Sequence, residues 1–168
     1  MTPRSLYHYV PTKDALLREV YKVVLGELEL PDPQDNDWQS NLRQLARSFR
    51  ALCGRHQNVA PYFLARHDPV ARDTAIFKVL FNLLLEAGAP KAQVISVSRS
   101  LVAFLTGYIL AEFNTLFTAQ NLRLRFDLAV KAPEAYPTLL SLPPPPDSAD
   151  EHFEGALELL IRGVEGLT

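Results

Sequence analysis

The sequence has little of what small proteins use to reinforce a weak core. It holds one cysteine, Cys53, in 168 residues. No internal disulfide can form, and no Cys/His cluster marks a zinc site. A reducing cytoplasm is the compartment expected. Residues 1–17 lack a continuous apolar stretch and do not read as a secretory signal. The longest apolar run, Leu101 to Ala111, is broken by Thr106 and Gly107. It is shorter than the roughly 20 residues that a bilayer requires, so no membrane association is expected. There is no Gly-x-Ser-x-Gly, no phosphate-binding glycine loop and no His-Glu-x-x-His. The sequence therefore points away from an enzyme, and no cofactor or metal is expected. No alternating strand pattern of any length occurs.

What is present is a globular composition, 48% apolar and 21% charged. A domain of about 150 residues hides roughly 70% of its unfolded surface, enough for a core without staples. The net charge of −2 is unevenly spread. Residues 1–26 are slightly basic, through Arg4, Lys13, Arg18 and Lys22 against Asp14 and Glu19. Residues 27–37 carry Glu27, Glu29, Asp32, Asp35 and Asp37 with no base, alongside Pro31 and Pro33. That acidic segment reads either as a hinge between two units or as a solvated loop.

The periodicity is helical. Leu16, Leu17, Val20, Val23, Val24 and Leu28 form one stripe behind a Thr12 N-cap. Leu42, Leu45, Phe49, Leu52 and Cys53 form another, from near Asp37 to Gly54. Val59–Arg66 suggests a short helix, and Asp68-Pro69 opens one that Gly88 and Pro90 stop. A long helix follows to about Phe117, apolar almost all round between Leu101 and Leu110. Pro133, Pro137 and Pro143–Pro146 exclude a long helix over 121–146. Ser148-Ala149-Asp150-Glu151 is a capping box, and it opens a last helix apolar on two adjoining faces. The fold class is all-α, a helical bundle. The two most apolar helices fit the centre of a monomeric bundle and the four-helix interface of a dimer equally well.

Two segments resemble a known family. Leu6, Tyr7, Val10, Lys13, Leu16 and Leu17 in SLYHYVPTKDALL resemble the end of the helix-turn-helix domain of TetR-type transcriptional repressors. FEGALELLIRGVEGL, Phe153–Leu167, is similar to the last helix of the tetracycline-repressor branch. Between them the layout agrees: a Trp-initiated helix at Trp38, a helix ending in Ala87-Gly88, then a long helix with Gly107-Tyr108. The resemblance implies a ligand-responsive repressor that binds operator DNA as a homodimer and is released by a small-molecule effector. Residues 1–30 would be the remnant of the DNA-binding domain and 37–168 the ligand-binding and dimerisation domain. The chain starts at or inside the third, reading helix of that domain. Either an in-frame extension upstream of Met1 encodes the two preceding helices, or the chain is a ligand-binding and dimerisation module without DNA binding of its own.

By the same resemblance, Arg4, Ser5, Tyr7, His8 and Tyr9 would meet bases or phosphates, with Thr12 and Lys13 at a phosphate-favouring helix start. Leu6 and Val10 read as core. An effector pocket would draw on Phe49, Tyr62, Phe63, His67, Phe77, Phe81, Phe104 and Tyr108, which as aromatics at helical spacing are also what a plain core would show. Asn82, Thr106, Asn114 and Gln120 are further polar candidates. The dimer interface would use Leu101, Leu105, Phe153, Leu157, Leu160, Ile161 and Val164.

Overall fold

The computed structural model describes residues 12–32, 37–64, 71–115, 119–143 and 148–167. Among these the regular structure is helical: α1 Lys13–Gly26, α2 Trp38–Arg55, α3 Ala60–Leu64, α4 Ala71–Glu86, α5 Val94–Phe113, α6 Ala119–Lys131, α7 Pro137–Ser141 and α8 Ala149–Glu165. The all-α reading holds.

The helix starts follow from side chains that satisfy backbone N–H groups the helix leaves unpaired. The Thr12 hydroxyl accepts from the Ala15 amide at 3.1 Å. The Asp37 carboxylate accepts from Ser40 at 2.7 Å, which holds its pKa below the usual carboxylate range. The Ser148 hydroxyl accepts from Asp150 and Glu151. The end of α4 is equally local. Gly88 adopts φ 85°, a conformation glycine enters at little cost. The Ala89 amide then reaches Leu84 O and the Gly88 amide reaches Leu85 O, each at 3.0 Å, closing a Schellman motif.

Two apolar cores result. The first joins α2, α4, α5 and α8 through Leu42, Ala46, Leu80, Leu84, Leu101, Phe153 and Ile161. The second joins α1, α2, α3 and α5 through Leu25, Leu28, Leu45, Leu52, Leu64 and Ile109. Leu28 and Pro31 are buried, so the start of the acidic segment packs onto the body. Three arginines of α2 meet three acids of α8 in antiparallel order: Arg43–Glu158, Arg47–Glu154 and Arg50–Asp150, each 2.7 Å.

Two helices sharpen the sequence reading. Residues 119–131 form a helix of 13 residues in the segment where the prolines exclude a long helix over 121–146; it ends before Pro133. It packs with α7 and leaves Leu124, Leu128 and Val130 exposed. The long apolar helix α5 has 20 residues, so by length and composition it could cross a membrane. Its Leu101 and Ile109 are instead seated in the two cores, and the buried Ser98 hydroxyl is satisfied by Ile95 O at 2.8 Å.

Candidate functional site

A cavity of about 160 Å³ lies at the seam between the two cores. Its wall combines Leu25, Leu28, Leu45 and Leu64 from one core with Leu42, Leu80, Leu101 and Leu157 from the other. Six helices contribute, including α1. A void between two cores is a natural weak point in packing, because each core is filled from its own side.

Polar groups are few. Tyr21 on α1 donates its hydroxyl to Asp73 Oδ1 on α4 at 2.6 Å, and both residues line the cavity. Burial, then the bond and charge of Asp73, raise the Tyr21 pKa well above that of an ordinary tyrosine. The phenol therefore stays protonated and acts as the donor. Thr106 on α5 adds another hydroxyl to the wall. Cys53 is fully buried in the neighbouring core, and burial pushes its thiol up to about 12, so it packs as an inert apolar group.

A second cleft, beside Arg47, Arg50, Gln57 and Glu112, is polar. Its arginines are already engaged by acids: Arg47 by Glu154, and Arg50 by Asp150 and Glu112. The Arg50 guanidinium also lies 4.6 Å from the Phe153 ring centroid. These contacts raise the pKa of Arg50, with the Glu112 bond foremost. The cleft is thus a structural tie between α2, α5 and α8.

The aromatic candidates separate. Phe49 and Phe77 line the cavity. Phe81, Phe104 and Tyr108 do not. Phe81 stacks near Phe77 at 5.8 Å, and Tyr108 sits between Phe104 and Phe153 at 5.9 and 5.5 Å. Helical spacing alone could not separate these roles, since the wall is mostly leucine. The side chains of Tyr62 and Phe63, and all of His67, fall outside the described residues. Asn82, Asn114 and Gln120 are exposed, away from the cavity. Tyr21 and Asp73 were missed by sequence reading; 52 positions separate them and no local pattern links them.

The interface candidates are distributed over the core and the cavity wall of the chain. Leu101, Phe153, Leu157, Ile161 and Val164 are buried within the chain itself. Leu105, Leu157 and Leu160 line the cavity. The Phe153, Leu157, Ile161, Val164 stripe is the face that α8 turns to α2, as the arginine–acid ladder requires. The outward face carries Gly155, Leu159 and Gly163 instead, with Leu159 73% exposed. Of the DNA-contact candidates, Arg4, Ser5, Tyr7, His8 and Tyr9 lie outside the described residues. Thr12 and Lys13 are exposed at the start of α1, with the Thr12 hydroxyl serving as the cap.

Residues 30–168 match the model of the tetracyclin repressor-like C-terminal domain family. An HTH-type transcriptional regulator of Saccharopolyspora erythraea is 27% identical across 95% of this chain and 69% of its own length. The TetR family protein ActR of Streptomyces coelicolor, in complex with actinorhodin, is similar in structure with a TM-score of 0.80 and 26% identity, over 99% of this chain and 83% of that one. The ActR complex with (S)-DNPA gives a TM-score of 0.81 at 27% identity, over 98% of this chain and 81% of that one. By its helical architecture and the family match over residues 30–168, the chain belongs to the TetR family of transcriptional regulators, through a tetracyclin repressor-like C-terminal domain.

Proposed function

We propose that this chain acts as a cytoplasmic, ligand-responsive repressor that binds operator DNA as a homodimer. The observation that carries the reading is the position of the cavity. It lies where α1 meets the body, and α1 continues from the segment that resembles the DNA-reading helix. A ligand held there touches Tyr21, Leu25 and α4 together, so occupancy and the tilt of α1 are linked. Such linkage is reciprocal: effector weakens DNA binding by the factor by which DNA weakens effector binding. In this reading residues 1–30 belong to the DNA-binding unit, with Arg4, Ser5, Tyr7, His8, Tyr9, Thr12 and Lys13 near the duplex. Residues 37–168 hold the partner and, together with Tyr21, Leu25 and Leu28 of the first unit, the effector. The relative ActR, solved with actinorhodin, supports a small-molecule effector.

The dimer forms through the outward faces of α5 and α8. Ser96, Ser100, Ala103 and Gly107 lie in one exposed row on α5, and Gly155, Leu159 and Gly163 in one on α8. A Cβ added at Gly107, Gly155 or Gly163 would meet nothing within 4 Å in the chain, so these positions leave room for a second helix to approach. Small residues at such crossings let a four-helix interface close. Sedimentation tests this part: the chain is expected to be a dimer at micromolar concentration, and Leu159→Glu a monomer. A monomeric wild type rules the interface out.

Gel shifts test the whole reading. DNA flanking the gene is titrated with this chain and with a chain extended by the in-frame codons upstream. Retardation that a bound aromatic compound reverses is the expected result; no retardation with either chain sinks the repressor reading.

A further inference from the structure

The cavity wall is apolar except where Tyr21 and Asp73 meet, with Thr106 elsewhere on α5. An ionised carboxylate offers acceptors only. Asp73 Oδ1 is engaged by the Tyr21 hydroxyl at 2.6 Å, so the ligand space ends at an acceptor served by the protein's own phenol. Size and charge narrow what fits. An apolar cavity of about 150 Å³ accommodates one benzene ring. This one, at about 160 Å³, holds one aromatic ring without displacing a helix. An anionic ligand would face the Asp73 carboxylate in an otherwise largely apolar wall, a poor exchange for its water. A ring with no polar group would leave the Tyr21–Asp73 bond untouched. A hydroxylated ring offers Asp73 the same donor that Tyr21 does.

We propose that Asp73 determines the specificity of this cavity and selects an effector with a phenolic hydroxyl, which donates to the carboxylate in place of Tyr21. This rests on the cavity being the effector site, as argued above. The exchange keeps a donor on the carboxylate, so it proceeds at small cost. It also removes a bond between α1 and α4, so recognition of the hydroxyl and loosening of α1 are one event. A ring that only fills space does not cause that loosening.

Calorimetric titration of the full chain with phenol, toluene and benzoate tests this. Phenol and toluene differ by little more than the hydroxyl. In the wild type phenol is expected to bind within a few-fold of toluene, because its bond to Asp73 replaces that of Tyr21, and benzoate not measurably. Tyr21→Phe, which removes the competing donor, tightens phenol several-fold and leaves toluene unchanged. Asp73→Asn keeps phenol and toluene within about threefold and admits benzoate, since the amide donates where the carboxylate repelled. Amide exchange along Val20–Leu25 speeds up with phenol and not with toluene. Toluene binding equal to phenol in Tyr21→Phe overturns the inference and leaves the cavity reading standing. Failure of toluene and phenol alike overturns both. Should Asp73→Asn not fold, the Tyr21→Phe titration decides: a weaker phenol affinity in that variant refutes the exchange.

Discussion

The two cores flanking the cavity are built on different plans. The core of α2, α4, α5 and α8 is centred on Phe153, which packs against Tyr108 and under the Arg50 guanidinium. Its edge is laced by the Arg43, Arg47 and Arg50 pairs to α8. The core of α1, α2, α3 and α5 has buried members that are aliphatic apart from Cys53, with its aromatic rings only partly buried at the edge. Side-chain bonds that fasten α1 and its C-terminal end to the body include Tyr21 to Asp73 at 2.6 Å and Glu27 to His56 at 2.8 Å. The first plan is expected to resist deformation more than the second. A regulator needs both, a frame that keeps its shape and an element drawn from the low-stability end that moves.

Truncating the centre of the frame is the strongest way to break this contrast. Phe153→Ala removes a ring that is 1% exposed and is expected to cost about 3–5 kcal/mol. Amide protection should fall throughout the chain, read by hydrogen exchange and urea unfolding. Leu25→Ala deletes a side chain that is 2% exposed, with a nominal cost of about 2–5 kcal/mol. Its loss should concentrate in α1, because the cavity beside it already interrupts the packing. If Leu25→Ala lowers the protection of α8 as much as Phe153→Ala does, the two regions unfold as one unit and the contrast fails.

A smaller effect is expected from the ion pairs. Arg50 holds Glu112 by two hydrogen bonds, and both side chains are about one-fifth exposed. Arg50→Met keeps most of the packing volume but strands Glu112, at an expected cost of about 1–2 kcal/mol after allowance for solvent screening. Lysine should not restore it, since one ammonium cannot reproduce the planar fork. Combining Arg50→Met with Glu112→Gln should recover part of the loss. A double-mutant cycle with no coupling removes this tie from the frame.

How much of this was legible depends on the range of the interaction concerned. The Thr12, Asp37 and Ser148 caps and the Gly88 stop were readable because each is settled within a few residues. The helix at 119–131 was obscured by its surroundings, since the nearby prolines bound it without entering it. The two apolar faces of α8 were visible as a pattern. That both turn inward, with Leu160 at the cavity wall, is a tertiary outcome, set where Arg43, Arg47 and Arg50 meet Glu158, Glu154 and Asp150 more than 90 positions away. The same holds for the cavity. Phe49 and Tyr108 look alike in sequence, yet Phe49 lines it while Tyr108 packs on Phe153.

The pH dependence separates the regions most gently, and the two signs differ. Arg47 holds the Glu154 pKa below that of an ordinary glutamate, and Arg43 does the same for Glu158, with Arg162 adding to it. A carboxylate whose folded pKa is depressed contributes stability that is present above its unfolded value, about 4.3, and lost as pH falls through the folded one. Both acids are over 40% exposed, so the contribution is small and should fade further in high salt. Tyr21 works the other way. Its folded pKa is raised, so its contribution is complete below the unfolded value of about 10 and is lost as pH climbs towards the folded one. Exchange-detected unfolding across pH should therefore show α8 loosening first on the acid side and α1 first on the alkaline side. Tyr21→Phe should abolish the alkaline difference and leave the acid one intact. If both helices loosen together at both extremes, their polar contacts do not belong to separate mechanical units.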